Sequence, residues 1–200
     1  MKITYKSLDS TEEVEKAFQF ITEQLEIGEK HPRQLDYYLL VHKTHPSLLM
    51  VAKNQDQIIG CTFSSKNQFK PEAKDELLIG EVCVHPNFQG QNIGRTLLMK
   101  VEKNAKKIGF KKLILGAKEG VESFYFKCEF VANLHIQIEN DHCLEELKNL
   151  NSKYEIIDEE VKEGWTRVLI KTKQLDRQLE NSYKKKSPKI YLNYVFTKEI

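Results

Sequence analysis

Residues 77–109 read LLIGEVCVHPNFQGQNIGRTLLMKVEKNAKKIG, and the succession of patterns within this stretch decides the fold. Leu77 to Val84 is a mostly apolar run of strand length, suited to the centre of a sheet. His85-Pro86 interrupts it, and Gln89-Gly90 follows as a turn. Ile93, Leu97, Val101, Ala105 and Ile108 then recur at helical spacing, with Gly109 where the helix should stop. A buried strand that runs through a glycine-bearing turn into a long helix makes an anion site. The first backbone N–H groups of the helix lack partners within it and point outward, and the helix dipole adds positive potential. Gly90 and Gly94 keep side chains out of the way of a phosphate chain. Arg95 places a cation in the first helical turn, where it opposes the dipole unless an anion lies nearby. Turn geometry alone would account for two glycines. The strand before them, the His-Pro, the Gln-Gly and the amphipathic helix after them together favour the anion site.

Outward from this stretch the chain is a mixed α/β (α+β) sequence. Residues 2–8 form a first strand. Ser10 and Glu13 fit a capping box that opens a helix carrying Val14, Ala17, Phe18, Ile21 and Leu25, with Gly28 as its stop. A second helix starts near Pro32, carries Leu35, Tyr38, Leu39 and His42, and ends at His45-Pro46, since the residue before proline is pushed out of the helical region. Residues 47–52 and 58–65 read as a hairpin. Residues 111–117 (KKLILGA) are another buried strand, and 121–130 (VESFYFKCEF) a short helix returning toward a strand. The remainder alternates as strand 134–139, helix 143–150, a hairpin of 153–164 and 165–172 turning at Glu163-Gly164, helix 172–186 and strand 189–199. That β-α-β-β-α-β order is ferredoxin-like. The expected architecture is a mostly antiparallel central sheet flanked by helices over 1–135, with a C-terminal α+β extension, 136–200, packed on it.

Acids and bases nearly balance, leaving a net charge of +2, which argues against a surface built wholly for nucleic acid or acidic membranes. Lys184, Lys185, Lys186 and Lys189, near Tyr183, Tyr191 and Tyr194, read better as a basic helix end than as a nucleic-acid patch. No secretory signal or apolar run of transmembrane length is visible. Cys61, Cys83, Cys128 and Cys143 form no C-x-x-C pair and no zinc spacing, so no metal is expected and the thiols read as reduced, in a cytoplasmic protein.

The segment Gln89-Gly90-Gln91-Asn92-Ile93-Gly94 resembles the Q/R-x-x-G-x-G/A motif of the GNAT acetyltransferase superfamily, and the order of elements from residue 3 to about 135 is similar to that family's. Asn92 stands where the family has its central glycine, and asparagine is the residue that best tolerates the left-handed region after glycine. The resemblance implies a GNAT-type fold and acetyl-CoA as co-substrate. It implies that the backbone of Val82, Cys83 and Val84 pairs with the pantetheine arm as an added strand. It implies that amides of Gln89, Gly90, Gln91, Asn92, Ile93, Gly94 and Arg95 cradle the pyrophosphate, and that residues 28–46 face the acceptor.

Amide formation needs an amine that has lost its proton, a stabilised tetrahedral intermediate and a proton for the leaving thiolate. Glu81, in an otherwise apolar strand just before the cofactor segment, is the first candidate base, since burial raises a carboxyl toward a useful range. It can equally be a structural carboxylate. His85 is the second candidate, and the base can also be water; a histidine before proline is more often a turn residue. Phe124-Tyr125-Phe126-Lys127-Cys128-Glu129-Phe130 resembles the family's Phe-Tyr-x-x-x-Gly-Phe helix, which implies that Tyr125 protonates the CoA sulfur. The bland alternative is an aromatic core stripe. Glu129 replaces the family's glycine, which puts the helix end, and with it the Tyr125 hydroxyl, in question. Cys83 has no visible activating partner for an acyl-cysteine route. The expected function is transfer of acetyl from acetyl-CoA to a primary amine, of a small molecule, by direct attack. Two alternatives stand beside it: a non-catalytic acyl-CoA sensor or interaction module, and a ligand- or RNA-binding C-terminal unit fused to a degenerate core. Edge strands of the C-terminal unit are open to pairing between chains as a homodimer.

Overall fold

The computed structural model describes residues 2–25, 32–68, 70, 72–139, 149, 153–186 and 189–200. They form two compact units, the first comprising Met1–Ile114 with Glu199–Ile200 and the second Leu115–Lys198.

The first unit runs β1 (Ile3–Ser7), α1 (Thr11–Leu25), α2 (Pro32–Thr44), β2 (Leu49–Asn54), β3 (Gln57–Lys66), β4 (Glu76–Val84), α3 (Ile93–Ile108) and the start of β5 (Lys112–Gly116). Its strands lie in the order β1-β2-β3-β4-β5, antiparallel up to β4 and parallel between β4 and β5. Each boundary has a local cause. The Ser10 hydroxyl accepts the Glu13 amide at 3.2 Å and opens α1. The Glu13 carboxylate reaches back to the Asp9 amide at 2.9 Å rather than to Ser10, a capping box displaced by one residue. Hydrogen bonds from Lys6, the Asp9 amide and Lys53 hold the Glu13 carboxyl far below the usual range, at about 2, against the opposing effect of burial. Gly28, read as the end of α1, lies outside the described residues. Proline at the head of α2 lacks an N–H that would have no partner there anyway.

Val14, Ala17 and Ile21 of α1 and Ile93, Leu97, Val101 and Ala105 of α3 are buried, as their helical spacing required. Ile108, read as the end of the α3 stripe, is exposed instead, because the helix ends there and Gly109 turns the chain away in a left-handed cap.

The second unit holds α4 (Glu122–Lys127), β6 (Val131–Glu139), β7 (Glu155–Lys162), β8 (Trp165–Lys173), α5 (Arg177–Lys186) and β9 (Tyr191–Glu199 up to Lys198). Its strand order is β9-β6-β8-β7, antiparallel throughout. That strand order is the one expected of a β-α-β-β-α-β unit. The helix read over 143–150 falls outside the described residues except for Asn149. The helix read from Thr172 starts later, at Arg177: β8 takes the chain to Lys173, and Asp176 caps the helix through its carboxylate on the Leu179 amide at 2.8 Å. Residue 135, read as the domain boundary, lies within β6.

Candidate active site

The site in the first unit begins with an irregularity in β4. The β3–β4 register runs Leu77↔Lys66, Leu78↔Ser65, Ile79↔Ser64, then resumes at Glu81↔Phe63 and continues to Val84↔Gly60. Gly80 is the extra residue of a β-bulge. Period-two alternation would put Glu81 on the same face as Leu77 and Ile79. The bulge shifts the phase by one, so Glu81 and Cys83 share the face of Phe63 and Cys61. The Cys61 and Cys83 sulfurs, 3.4 Å apart, mark that face. Burial above all, then the neighbouring Cys83, pushes the Cys61 thiol well up.

Helix α2 covers the same face. Glu81 is buried, and each of its oxygens has a donor: Gln34 Nε2 to Oε1 and the Tyr38 hydroxyl to Oε2. Gln34 and Tyr38 are four residues apart and therefore neighbours on one helix face. The Tyr38 ring is edge-on to Phe63 at 4.8 Å between centroids and meets Phe18 of α1 at 6.3 Å. Gly80 leaves the space this contact needs, for a Cβ there would lie 2.4 Å from the Tyr38 hydroxyl oxygen. Burial raises the Glu81 carboxyl above the ordinary carboxylate value, and the hydrogen bonds from Tyr38 and Gln34 work against that rise. Burial and the adjacent Glu81 charge push the Tyr38 hydroxyl far up, so it stays protonated and donates. The sequence alone singles out Glu81, places Tyr38 only on the second helix and gives Gln34 no role. The one signal available was their i, i+4 spacing on a helix, which names no partner on a strand.

Beyond the bulge β4 has an open side. Its parallel register with β5 covers three pairs, Glu76↔Lys112 to Leu78↔Ile114. Its register with β3 continues six residues further, to Val84. Among the described residues, Val82, Cys83 and Val84 thus take their ladder partners from β3, with the Cys83 side chain turned inward and the opposite backbone edge outside the β5 register.

After β4 the chain makes a single 3-10 turn at Pro86–Phe88. His85 Nδ1 accepts the Asn87 amide at 3.2 Å, and its ring is edge-on to Phe88, which is the work of a turn residue. Gln89 secures the turn twice: its amide donates to Pro86 O at 3.2 Å and its side-chain amide to Val84 O at 3.0 Å. Gln89 N–H is therefore engaged within the protein. From Gly90 to Arg95 no backbone amide has an acceptor among the described residues; the next, Thr96, donates to Asn92 O at 2.9 Å. Gly90 at φ +76° and Asn92 at φ +60° are both in the left-handed region. Asn92 holds a left-handed conformation that glycine also adopts readily, and its side chain makes no cap bond. Gly94 is buried at the foot of α3 and Arg95 is exposed.

Tyr125 belongs to the second unit. Its ring lies among Phe124, Phe130 and Phe196, at centroid distances of 5.1, 6.0 and 5.5 Å. Burial pushes its hydroxyl up to about 12, so it carries its proton at neutral pH. Glu129 takes the left-handed conformation at φ +68°. The Phe130 amide donates to Tyr125 O at 3.1 Å and the Glu129 amide to Phe126 O at 3.0 Å, which is a complete Schellman closure. Glu129 thus closes α4 in the manner open to a glycine at that position.

A sequence model of the acetyltransferase (GNAT) family matches residues 11–130. No curated protein matches the chain in sequence. Among solved structures, Ard1 from Thermoplasma volcanium superposes with a TM-score of 0.53 at 16% identity, over 88% of this chain and 100% of that one. The structure of yncA from Salmonella typhimurium with its cofactor acetyl-CoA superposes with a TM-score of 0.56 at 12% identity, over 88% of this chain and 96% of that one. N-acetylglutamate synthase from Neisseria gonorrhoeae, complexed with coenzyme A and N-acetyl-glutamate, gives a TM-score of 0.52 at 13% identity, over 100% of this chain and 35% of the synthase. At these identities the superpositions establish a common fold.

Proposed function

The chain belongs to the acetyltransferase (GNAT) family, and from that premise we propose that it transfers acetyl from acetyl-CoA to a primary amine of a small molecule by direct attack. The observation that carries the proposal is the run of backbone amides from Gly90 to Arg95, at the opening of α3 and without protein acceptors among the described residues. Such a run suits the diphosphate of CoA, as the acetyl-CoA in the yncA structure suits a protein of the same fold. The backbone of Val82, Cys83 and Val84 would take the pantetheine arm, because β4 is open there beyond its register with β5.

Glu81 is the proposed base. Its carboxylate accepts a proton from the attacking amine, directly or through one water, as nitrogen bonds to the thioester carbon. The C–S bond then breaks as the tetrahedral intermediate collapses, and Tyr125 is assigned the proton that the departing sulfur takes up. Tyr125 is suited to this because its hydroxyl is held protonated by burial. His85 is less suited to the base role, since one ring nitrogen is engaged in its own turn. Asn92 and Glu129, which stand where the family has glycine, both take the left-handed conformation that glycine adopts readily.

Amino acids come first among acceptors, given that a structure of this fold holds N-acetyl-glutamate. The test is thiol release from acetyl-CoA across a panel of amino acids, amino sugars, polyamines and lysine peptides, with acetyl-CoA affinity measured by calorimetry. The expected result is acetyl-CoA binding and thiol release with at least one small amine. Binding without turnover on any amine would leave the sensor reading, and absence of binding would remove both.

A further inference from the structure

Both oxygens of the proposed base are held by one helix, α2. Gln34 and Tyr38 stand on α2, four residues apart, and each donates to a different oxygen of Glu81. Gly80 admits the Tyr38 hydroxyl, and the bulge it forms turns Glu81 toward α2. Phe63 of β3 and Phe18 of α1 fix the Tyr38 ring from two further elements. Five residues on four elements thus converge on one carboxylate.

We propose that Tyr38, assisted by Gln34, is a positioning residue for Glu81, holding its carboxylate in one orientation and in its ionised form within the apolar face of β4. This rests on the reading of Glu81 as the base. The physical basis is a balance of opposed effects. Burial favours the protonated acid, whereas a hydroxyl and an amide that donate to the carboxylate favour the anion. Among the described residues, the other titratable groups near the pair are Tyr37 on α2, which meets Tyr38 at 5.7 Å, and Cys61 on β3 and Cys83 on β4, whose sulfurs touch each other on the same face. None of these is a cation that could stabilise the carboxylate in place of Tyr38.

The sign follows directly. Tyr38→Phe removes a donor to the charged form and leaves the ring, so Glu81 must bind its proton at higher pH. A base works only when deprotonated, so the acidic limb of the rate profile must move to higher pH too.

The test uses the full chain with side-chain 13C-labelled glutamate, titrated by NMR. Glu81→Gln identifies the Glu81 resonance. In Tyr38→Phe its midpoint should rise by roughly one pH unit, and in Gln34→Ala by less, with acetyl-CoA affinity unchanged. With the best acceptor from the amine panel, the acidic limb of kcat/KM should move by the same amount, giving about a tenfold loss below it. A midpoint in Tyr38→Phe within experimental error of the parent, in a variant whose melting temperature shows it folded, would overturn the proposal. Should Tyr38→Phe not fold, the Gln34→Ala midpoint decides alone. Undiminished turnover in Glu81→Gln would instead overturn the assignment of the base, whatever the Tyr38→Phe midpoint does.

Discussion

Tyr125 shows how a single hydroxyl can be separated from the ring that carries it. The ring is packed among three phenylalanines, while the proposed chemistry belongs to the oxygen. Tyr125→Phe keeps the packing and removes the proton donor. We expect kcat to fall about a hundredfold, within the usual range for loss of a general acid, with acetyl-CoA affinity and melting temperature nearly unchanged. Stopped-time assays of thiol release together with calorimetry measure both. An unchanged kcat would return Tyr125 to the role of a core aromatic. At this scale the sequence was informative where a residue contradicts its surroundings. Glu81 was conspicuous as a carboxylate in an apolar run, and Asn92 was recognisable as a residue able to replace glycine at φ +60°. What could not be read was which side chains meet. Tyr38 and Glu81 are 43 residues apart, and their contact depends on Gly80 being a bulge. An isolated glycine in a strand suggests a bulge without fixing the phase that results.

Helix ends carry most of what was legible among the elements, because capping is local chemistry. Ser10 and Glu13 opened α1, Gly109 closed α3, and Glu163-Gly164 turned the β7–β8 hairpin, with Gly164 at φ +87°. The start of α5 was misjudged because Thr172 and Lys173 suit either a strand or a helix, and the decision came from register. β8 pairs with β6 as far as Lys173↔Ala132, and Asp176 offers the first competent cap beyond it. The end of α4 yields a prediction at this scale. Glu129 is non-glycine in the left-handed region, a conformation that disfavours a Cβ. Its carboxylate is exposed and pairs with Lys198 at 3.0 Å, a contact of small worth at the surface. Lys198 also donates to Cys128 O at 3.2 Å, a bond that survives loss of the carboxylate. Glu129→Gly should therefore raise stability by about 0.5–1 kcal/mol, read as a higher urea midpoint at unchanged slope. A lower midpoint would mean that the ion pair outweighs the backbone strain.

The chain as a whole leaves its first unit at Ile114 and returns to it only at Glu199–Ile200, where the Ile200 amide donates to Lys111 O at 2.8 Å. A boundary sought from composition could not reveal that the last two residues belong with the first unit, since the closing contact joins Ile200 to Lys111, far apart in sequence. The unit so closed is the one that holds the amide run from Gly90 to Arg95. The net charge of +2 is too small for general attraction to concentrate a polyanion on the surface, so affinity for CoA must come from directed groups. This separates two ligands that share their reactive end. Acetyl-CoA carries the diphosphate, and S-acetylpantetheine lacks it. At about a hundred times its dissociation constant, acetyl-CoA should stabilise the native chain by about 2.7 kcal/mol. For a chain of this size that is a rise in melting temperature of about 5–10 °C. At the same concentration S-acetylpantetheine can use the open edge of β4 but not the amides of the α3 opening, and it should shift the melting temperature by no more than a degree or two, by the same linkage at much weaker affinity. Scanning calorimetry with each ligand in turn decides the matter. Equal shifts would place the affinity in the pantetheine arm and deprive the amide run of the role on which the proposed function depends.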